Sequence, residues 1–188
     1  MKRVVGLLAG LVCLANSLAA EPVLVLRPEP VRDAWWQRAV LNPRSTVVQG
    51  VPVKRMHPDW CAAEAFSREL FGDELLAGLP AHRHFSLDGA FDAGLESKGR
   101  AQIAFVGAYR RCGGEQGLFV AIVEPHLQRP RVRFLVEVPQ APSAVAALSR
   151  EPDGALAVWW CLDCDEGHRI AFNRDSKGFF VAGPATRR

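Results

Sequence analysis

The chain has little net charge. Lys plus Arg number 23 and Asp plus Glu 20, a formal +3. Removing Lys2 and Arg3 with the N-terminal segment leaves about +1 over residues 21–188. Binding driven by phosphate neutralisation needs a concentrated basic surface, so neither nucleic acid nor an anionic membrane is an expected partner. Arg129, Arg131 and Arg133, together with Arg110 and Arg111, form the one local basic cluster, and it reads as the solvated face of a strand. The chain also lacks a long apolar run. Its first one, Val4 to Leu14, falls short of the about 20 residues that cross a bilayer, and no later run is longer, so no membrane-spanning helix is expected. Hydrolase signatures are missing as well. There is no Gly-x-Ser-x-Gly, no His-Glu-x-x-His and no phosphate-cradling glycine loop. No catalytic set and no cofactor are expected.

What the N-terminus does contain is the three-part organisation of a secretory signal: Met1-Lys2-Arg3, then the apolar run, then Ala15-Asn16-Ser17-Leu18-Ala19-Ala20. Cleavage is expected after Ala20. Residues 21–188 then form one mature domain, and the style of the signal points to the bacterial periplasm. Cys13 follows Val12, where a lipid-anchoring site wants a small residue, so Cys13 is assigned to the discarded segment.

Five cysteines thus become four: Cys61, Cys112, Cys161 and Cys164. An even number in an exported chain implies disulfides. Three pairings are possible, and the simplest joins Cys161 to Cys164 locally and Cys61 to Cys112 over distance.

The expected fold is α+β and mainly β. Residues 21–80 form a helical or mixed N-terminal part, and residues 81–188 an antiparallel meander. Glu21 to Arg27 reads as a strand, Val31 to Leu41 as a helix ended by Pro43, and Thr46 to Lys54 as β. A helix is expected from Pro58 to Phe71, because Ala62, Ala63, Phe66 and Leu70 share one face at helical spacing. On that helix Cys61 would lie on the Glu64/Arg68 side and reach outward, which favours its pairing with Cys112. A short second helical piece is expected over Asp73 to Leu79.

Beyond residue 81, strands are expected near 82–87, 101–110, 117–124, 131–138, 143–149, 155–161, 168–173 and 178–182, separated by Asp-Gly, Gly-Gly, Pro-Asp-Gly and similar turn chemistry. Ile103 to Tyr109 and Leu118 to Val123 are apolar on both faces and should lie centrally. Val132, Phe134, Val136 and Val138 should share one face. Connections this short force antiparallel neighbours. A faint internal repeat relates Gln102–Val120 to Ala155–Phe172, with Cys112 and Cys164 at corresponding hairpins. Each unit has the size of a propeller blade, and the expected arrangement is a sandwich or an open barrel-like sheet, with two blade-like units as one form of it.

Trp160-Cys161-Leu162-Asp163-Cys164 resembles the motif of thioredoxin-like oxidoreductases. That resemblance would imply a nucleophilic first thiol at a helix N-terminus. The surroundings argue otherwise: Asp165-Glu166-Gly167 reads as a turn, the chain continues as β, and the acidic neighbours Asp163, Asp165 and Glu166 would raise thiol pKa values. A disulfide is the expected state. A zinc half-site with His168 is the alternative, although no second Cys-x-x-Cys accompanies it. His82-x-His84 places two imidazoles on one side of a strand and is a weak candidate metal pair.

The functional expectation is a non-catalytic exported protein that recognises another macromolecule, an inhibitor or immunity-type protein against an envelope-targeting enzyme being the concrete version. The candidate partner-binding residues are Arg110, Arg111, Asp163, Asp165, Glu166 and His168. The rivals are a metal- or thiol-dependent activity at Cys161 and Cys164, and a cell-wall carbohydrate-binding module that uses Trp35, Trp36, Trp159 and Trp160.

Overall fold

The computed structural model describes residues 24–26, 39–77, 91–92, 102–124, 130–139, 145–151, 153, 155–160 and 167–185. The expected signal segment, residues 31–38 of the helix expected over Val31–Leu41, the strand over 82–87 with His82 and His84, and residues 161–166 with Cys161 and Cys164 lie outside these residues.

The described chain is predominantly strand. Strands β1 (Leu24–Leu26) and β2 (Ala39–Leu41) pair antiparallel. Strands β3 (Val47–Val48) and β4 (Val51–Pro52) form a tight hairpin through Gln49 and Gly50, both at positive φ (48° and 75°), the mirror-image turn that suits the strand twist. The chain then makes one helical turn, α1 (Val53–Met56), followed by β5 (Trp60–Ala65), helix α2 (Arg68–Ala77) and β6 (Phe91–Asp92). Seven longer or meandering strands follow: β7 (Ile103–Arg111), β8 (Gln116–Glu124), β9 (Arg131–Val138), β10 (Ala147–Arg150), β11 (Leu156–Trp159), β12 (Gly167–Asn173) and β13 (Gly178–Ala185).

Two four-stranded antiparallel paths carry the architecture. One runs β5-β7-β8-β9, with β6 also paired to β7, and the other runs β10-β11-β12-β13. Both are open sheets. One face of the first packs against the second: Ala104, Val106 and Ala108 of β7 and Leu118, Val120 and Ile122 of β8 share a core with Leu148, Leu156, Val158 and Ile170. The other face carries Phe105, Tyr109, Phe119, Ala121 and Val123 and is covered by Val48, Val51, Val53 and Met56 from the β3–β4 hairpin and α1. The central position expected for β7 and β8 is therefore observed, and two-sided burial explains why neither shows an apolar/polar alternation.

The expected helix over Pro58–Phe71 is corrected. Residues 60–65 are strand β5, paired with β7, and the helix begins only at Arg68. Ser67 caps it, its Oγ accepting from the Leu70 N–H at 3.3 Å, and Glu69 stands in the favourable first turn. The separate helical piece foreseen after Asp73 is the end of the same helix. Residues 39–41, expected to close a helix, form strand β2 instead. The shared face foreseen for Arg131–Val138 also needs correction. The β8–β9 register jumps between Ile122/Phe134 and Val123/Val132, so Phe134, Val136 and Val138 face the second sheet while Val132 joins the opposite core.

Arg133 occupies that bulge and is no freely solvated strand cation. Its guanidinium bonds Glu124 Oε1 at 3.1 Å, both side chains being only 12% exposed, and donates to the Lys177 carbonyl oxygen at 3.3 Å in the β12–β13 turn. Arg131, by contrast, is exposed.

Candidate functional site

The residues most strongly organised for a task gather where β5, the β7–β8 hairpin and β9 meet. The organising feature is a second bulge. Trp60 pairs with Arg111 and Ala62 with Arg110, which leaves Cys61 as the extra residue of β5. A bulge re-aims the side chain it carries. Cys61 is bonded to Cys112, with Cα atoms 4.9 Å apart, so the long-range pairing favoured from sequence is formed, from a strand rather than from a helix. Beyond the bridge the Cys112 N–H donates to the Asp59 carbonyl oxygen at 2.9 Å. The hairpin closes on itself through Arg111 N–H to Glu115 O at 2.7 Å and Gly114 N–H to Arg111 O at 2.9 Å, and Gly114 takes the required positive φ of 95°. Residues 112–116 at its tip are exposed.

Below the tip, Glu137 of β9 is held by two strands. Its Oε2 accepts from Arg111 Nη2 at 2.8 Å, and its Oε1 accepts from the Trp60 indole N–H. His57 Nε2 stands 3.8 Å from the same Oε1. The Asp59 N–H donates to His57 Nδ1 at 3.2 Å, so Nδ1 is an acceptor and the ring proton belongs on Nε2, facing the carboxylate. Trp60 is sandwiched between His57 at 5.6 Å and Tyr109 at 4.4 Å. Arg111 lies over Tyr109, 5.9 Å from the ring centre. Burial raises the Tyr109 phenol above its ordinary pKa, and the negative charge of Glu137 adds to the rise. On the solvent side, Lys54 of α1 donates to the Pro58 carbonyl at 2.8 Å and reaches Cys112 Sγ at 3.1 Å.

Both Glu137 oxygens are occupied by fixed donors, the Trp60 indole and the Arg111 guanidinium. The arrangement fixes Arg111 in one orientation beneath an exposed tip. Among the described residues no group of three or more His, Cys, Asp and Glu side chains is disposed to hold a metal ion, and no helix is long and apolar enough to cross a membrane.

Of the candidates read from sequence, Cys61, Cys112 and Arg111 come together here. Arg110, the neighbouring half-buried residue of β7, is paired across the ladder with Ala62 and Gln116. His168 is exposed at the start of β12, opposite Val158 and Pro184, and makes no part of this cluster. Cys161, Asp163, Cys164, Asp165 and Glu166 lie outside the described residues. Lys54, His57, Trp60, Tyr109 and Glu137 are the members that sequence reasoning passed over. Two signals point to them. Trp60 is the immediate neighbour of a bridging cysteine, and Glu137 is the one acid in the strand Arg131–Val138. No family of known proteins, no curated protein and no solved structure matches the chain.

Proposed function

We propose that the chain is an exported, non-catalytic binding protein that recognises another protein in the periplasm through its β7–β8 hairpin, an inhibitor or immunity-type role being the form that suits it best. The observation that carries this reading is the bracing of that hairpin. Its base is pinned by Cys61–Cys112, its Arg111 is clamped by Glu137, and its tip from Cys112 to Gln116 is solvent-exposed. A loop already held in one conformation loses little entropy on docking, which is how small recognition modules gain affinity. Export rests on the character of residues 1–20 alone, and the periplasm on the same segment. The antiparallel pairing of β7 with β8 and of β11 with β12 is compatible with the internal repeat.

The test is affinity capture from bacterial envelope extract with the wild-type chain and with an Arg110→Glu variant that leaves Arg111, its partners Glu115 and Glu137, and the bridge in place. The reading expects one protein captured by the wild type and its loss, by at least about tenfold, in the variant. Equal capture by both removes the hairpin as the recognition element, and capture of nothing by either overturns the binding role.

A further inference from the structure

We infer that Cys112 is a thiol–disulfide exchange site, the sulfur through which a dithiol/disulfide partner makes and reopens the Cys61–Cys112 bridge. The inference rests on the surroundings of the two sulfurs and is independent of the hairpin's role in recognition.

The two cysteines of this bridge are not equivalent. Cys112 is exposed at the hairpin tip, whereas Cys61 is half-buried in β5 between the buried Trp60 and Ala62. A cation stands against Cys112: Lys54 Nζ is 3.1 Å from its sulfur. That ammonium is positioned by a second bond, to the Pro58 carbonyl oxygen at 2.8 Å, and Lys54 belongs to α1, whose Val53 and Met56 are anchored in the core. Arg111 is the adjacent residue in the chain. An ammonium at this distance stabilises a thiolate, and the thiolate is the reactive form in exchange. Accessibility and charge therefore select the same sulfur.

In the reduced chain the Cys112 thiolate, beside Lys54, attacks one sulfur of a partner disulfide. The partner's S–S bond breaks and one partner sulfur departs as a thiolate. The Cys61 thiol loses its proton to solvent, and its thiolate attacks Cys112 Sγ in the mixed disulfide. The Cys61–Cys112 bond forms, and the second partner sulfur leaves as a thiolate. The chain loses two electrons and the partner disulfide gains them, becoming a dithiol. Reopening by a dithiol runs through the same mixed disulfide on Cys112, and Lys54 then stabilises Cys112 as it departs. The ladder on either side of the bulge, including Cys112 N–H to Asp59 O, joins the two segments by bonds other than the bridge itself.

Two measurements on the full chain test this. The first uses the bridged protein and therefore does not depend on a cysteine variant folding. Reduction of the Cys61–Cys112 bridge by dithiothreitol at neutral pH is followed by peptide mapping in the wild type, Lys54→Met and Lys54→Arg. Lys54→Met is expected to slow reduction about threefold to tenfold, because the thiolate attacking Cys112 Sγ and, in the second step, the departing Cys112 thiolate both lose the neighbouring ammonium, and Lys54→Arg to restore most of the rate. The second treats Cys61→Ser and Cys112→Ser separately with glutathione disulfide. Cys112 in the first variant is expected to form the mixed disulfide faster than Cys61 in the second, and its alkylation profile with pH to lie below the ordinary cysteine range. An unchanged rate in Lys54→Met with the near-ultraviolet circular dichroism of the wild type overturns the proposal. So does faster reaction at Cys61.

Discussion

Trp60 and Tyr109 lie face to face across β5 and β7, with ring centroids 4.4 Å apart and planes 5° from parallel. Both are fully enclosed, and Trp60 also sends its indole N–H to Glu137. The indole thus does two things that a phenyl ring cannot do together. Trp60→Phe should keep an aromatic partner for Tyr109 and leave Glu137 Oε1 without its donor. The expected loss is about 1–3 kcal/mol, the usual penalty for a polar group deprived of its partner. Trp60→Ala should lose roughly 3–5 kcal/mol through the cavity as well. Urea unfolding of the two variants separates the polar from the packing contribution.

The bridge beside this stack closes a long segment, Cys61 and Cys112 being 51 residues apart. Loop-closure entropy for a span of this size corresponds to about 4 kcal/mol. Replacing both cysteines by serine should therefore lower the unfolding midpoint by a corresponding amount without changing the β content. Far-ultraviolet circular dichroism and urea denaturation check the two halves of that statement. A loss of the native spectrum would mean that oxidation is needed to form the sheet at all.

The strands from β7 onward were readable where turn residues such as Gly113-Gly114 and Ser176-Lys177-Gly178 separate apolar runs. Two departures from the sequence reading, at β5 and at β9, coincide with bulges. At Cys61 the extra residue breaks the period of two, so that Trp60, Ala63 and Ala65 share a face. The helix expectation rested on Ala62, Ala63, Phe66 and Leu70, and this helical spacing is a coincidence of a strand, its exit and the helix that follows. At Arg133 the same device sends Val132 to one core and Phe134 to the other. A bulge is stabilised by the tertiary partners of the extra residue, here a sulfur bridge and a buried ion pair, and such partners have no local signature. The site was half legible for the same reason. Cysteine counting gave the bridge, while Glu137 acquires its meaning only from Trp60 and Arg111 on other strands.

Gly107 supplies a prediction at the β5–β7 contact. A Cβ placed there would stand 2.1 Å from the Glu64 carbonyl oxygen and 2.8 Å from the Phe119 ring. The first obstacle is backbone and cannot rotate away. Gly107→Ala should push β5 from β7 and cost about 3 kcal/mol or more, at the upper end of single substitutions. Hydrogen exchange of the β5 amides, faster than that of β8 and β9 in the variant, would locate the damage. Uniform exchange across the sheet would contradict it.

Arg133 makes a prediction about how the two sheets are held. It bonds Glu124 with both side chains 12% exposed and reaches the carbonyl of Lys177 beyond β12. Arg133→Met would keep much of the side-chain volume and leave Glu124 as a buried charge without this partner, a change that typically costs about 3–5 kcal/mol. Removing both charges, with Arg133→Met and Glu124→Leu, should recover a large part of that loss. A double-mutant cycle by urea unfolding measures the coupling, and additive losses would show that the pair contributes nothing beyond its separate contacts.

Tyr109 gives the pH prediction, and it can be read directly because the chain contains a single tyrosine. Burial and the charge of Glu137 raise its pKa in the folded state above the ordinary value of 10.0. The unfolded chain then releases the phenolic proton at lower pH than the folded one. Between those two values the folded state binds more protons, so stability falls as pH rises. Unfolding free energy should therefore decline from about pH 10 upward, with the contribution fully present below that value. The growth of tyrosinate absorbance should lag behind a tyrosine model peptide until the protein opens. Tyr109→Phe removes the ionisable group and should flatten this part of the profile, at the cost of the hydroxyl's hydrogen bond with Arg111 at every pH. An unaltered alkaline profile in Tyr109→Phe would assign the decline to other groups.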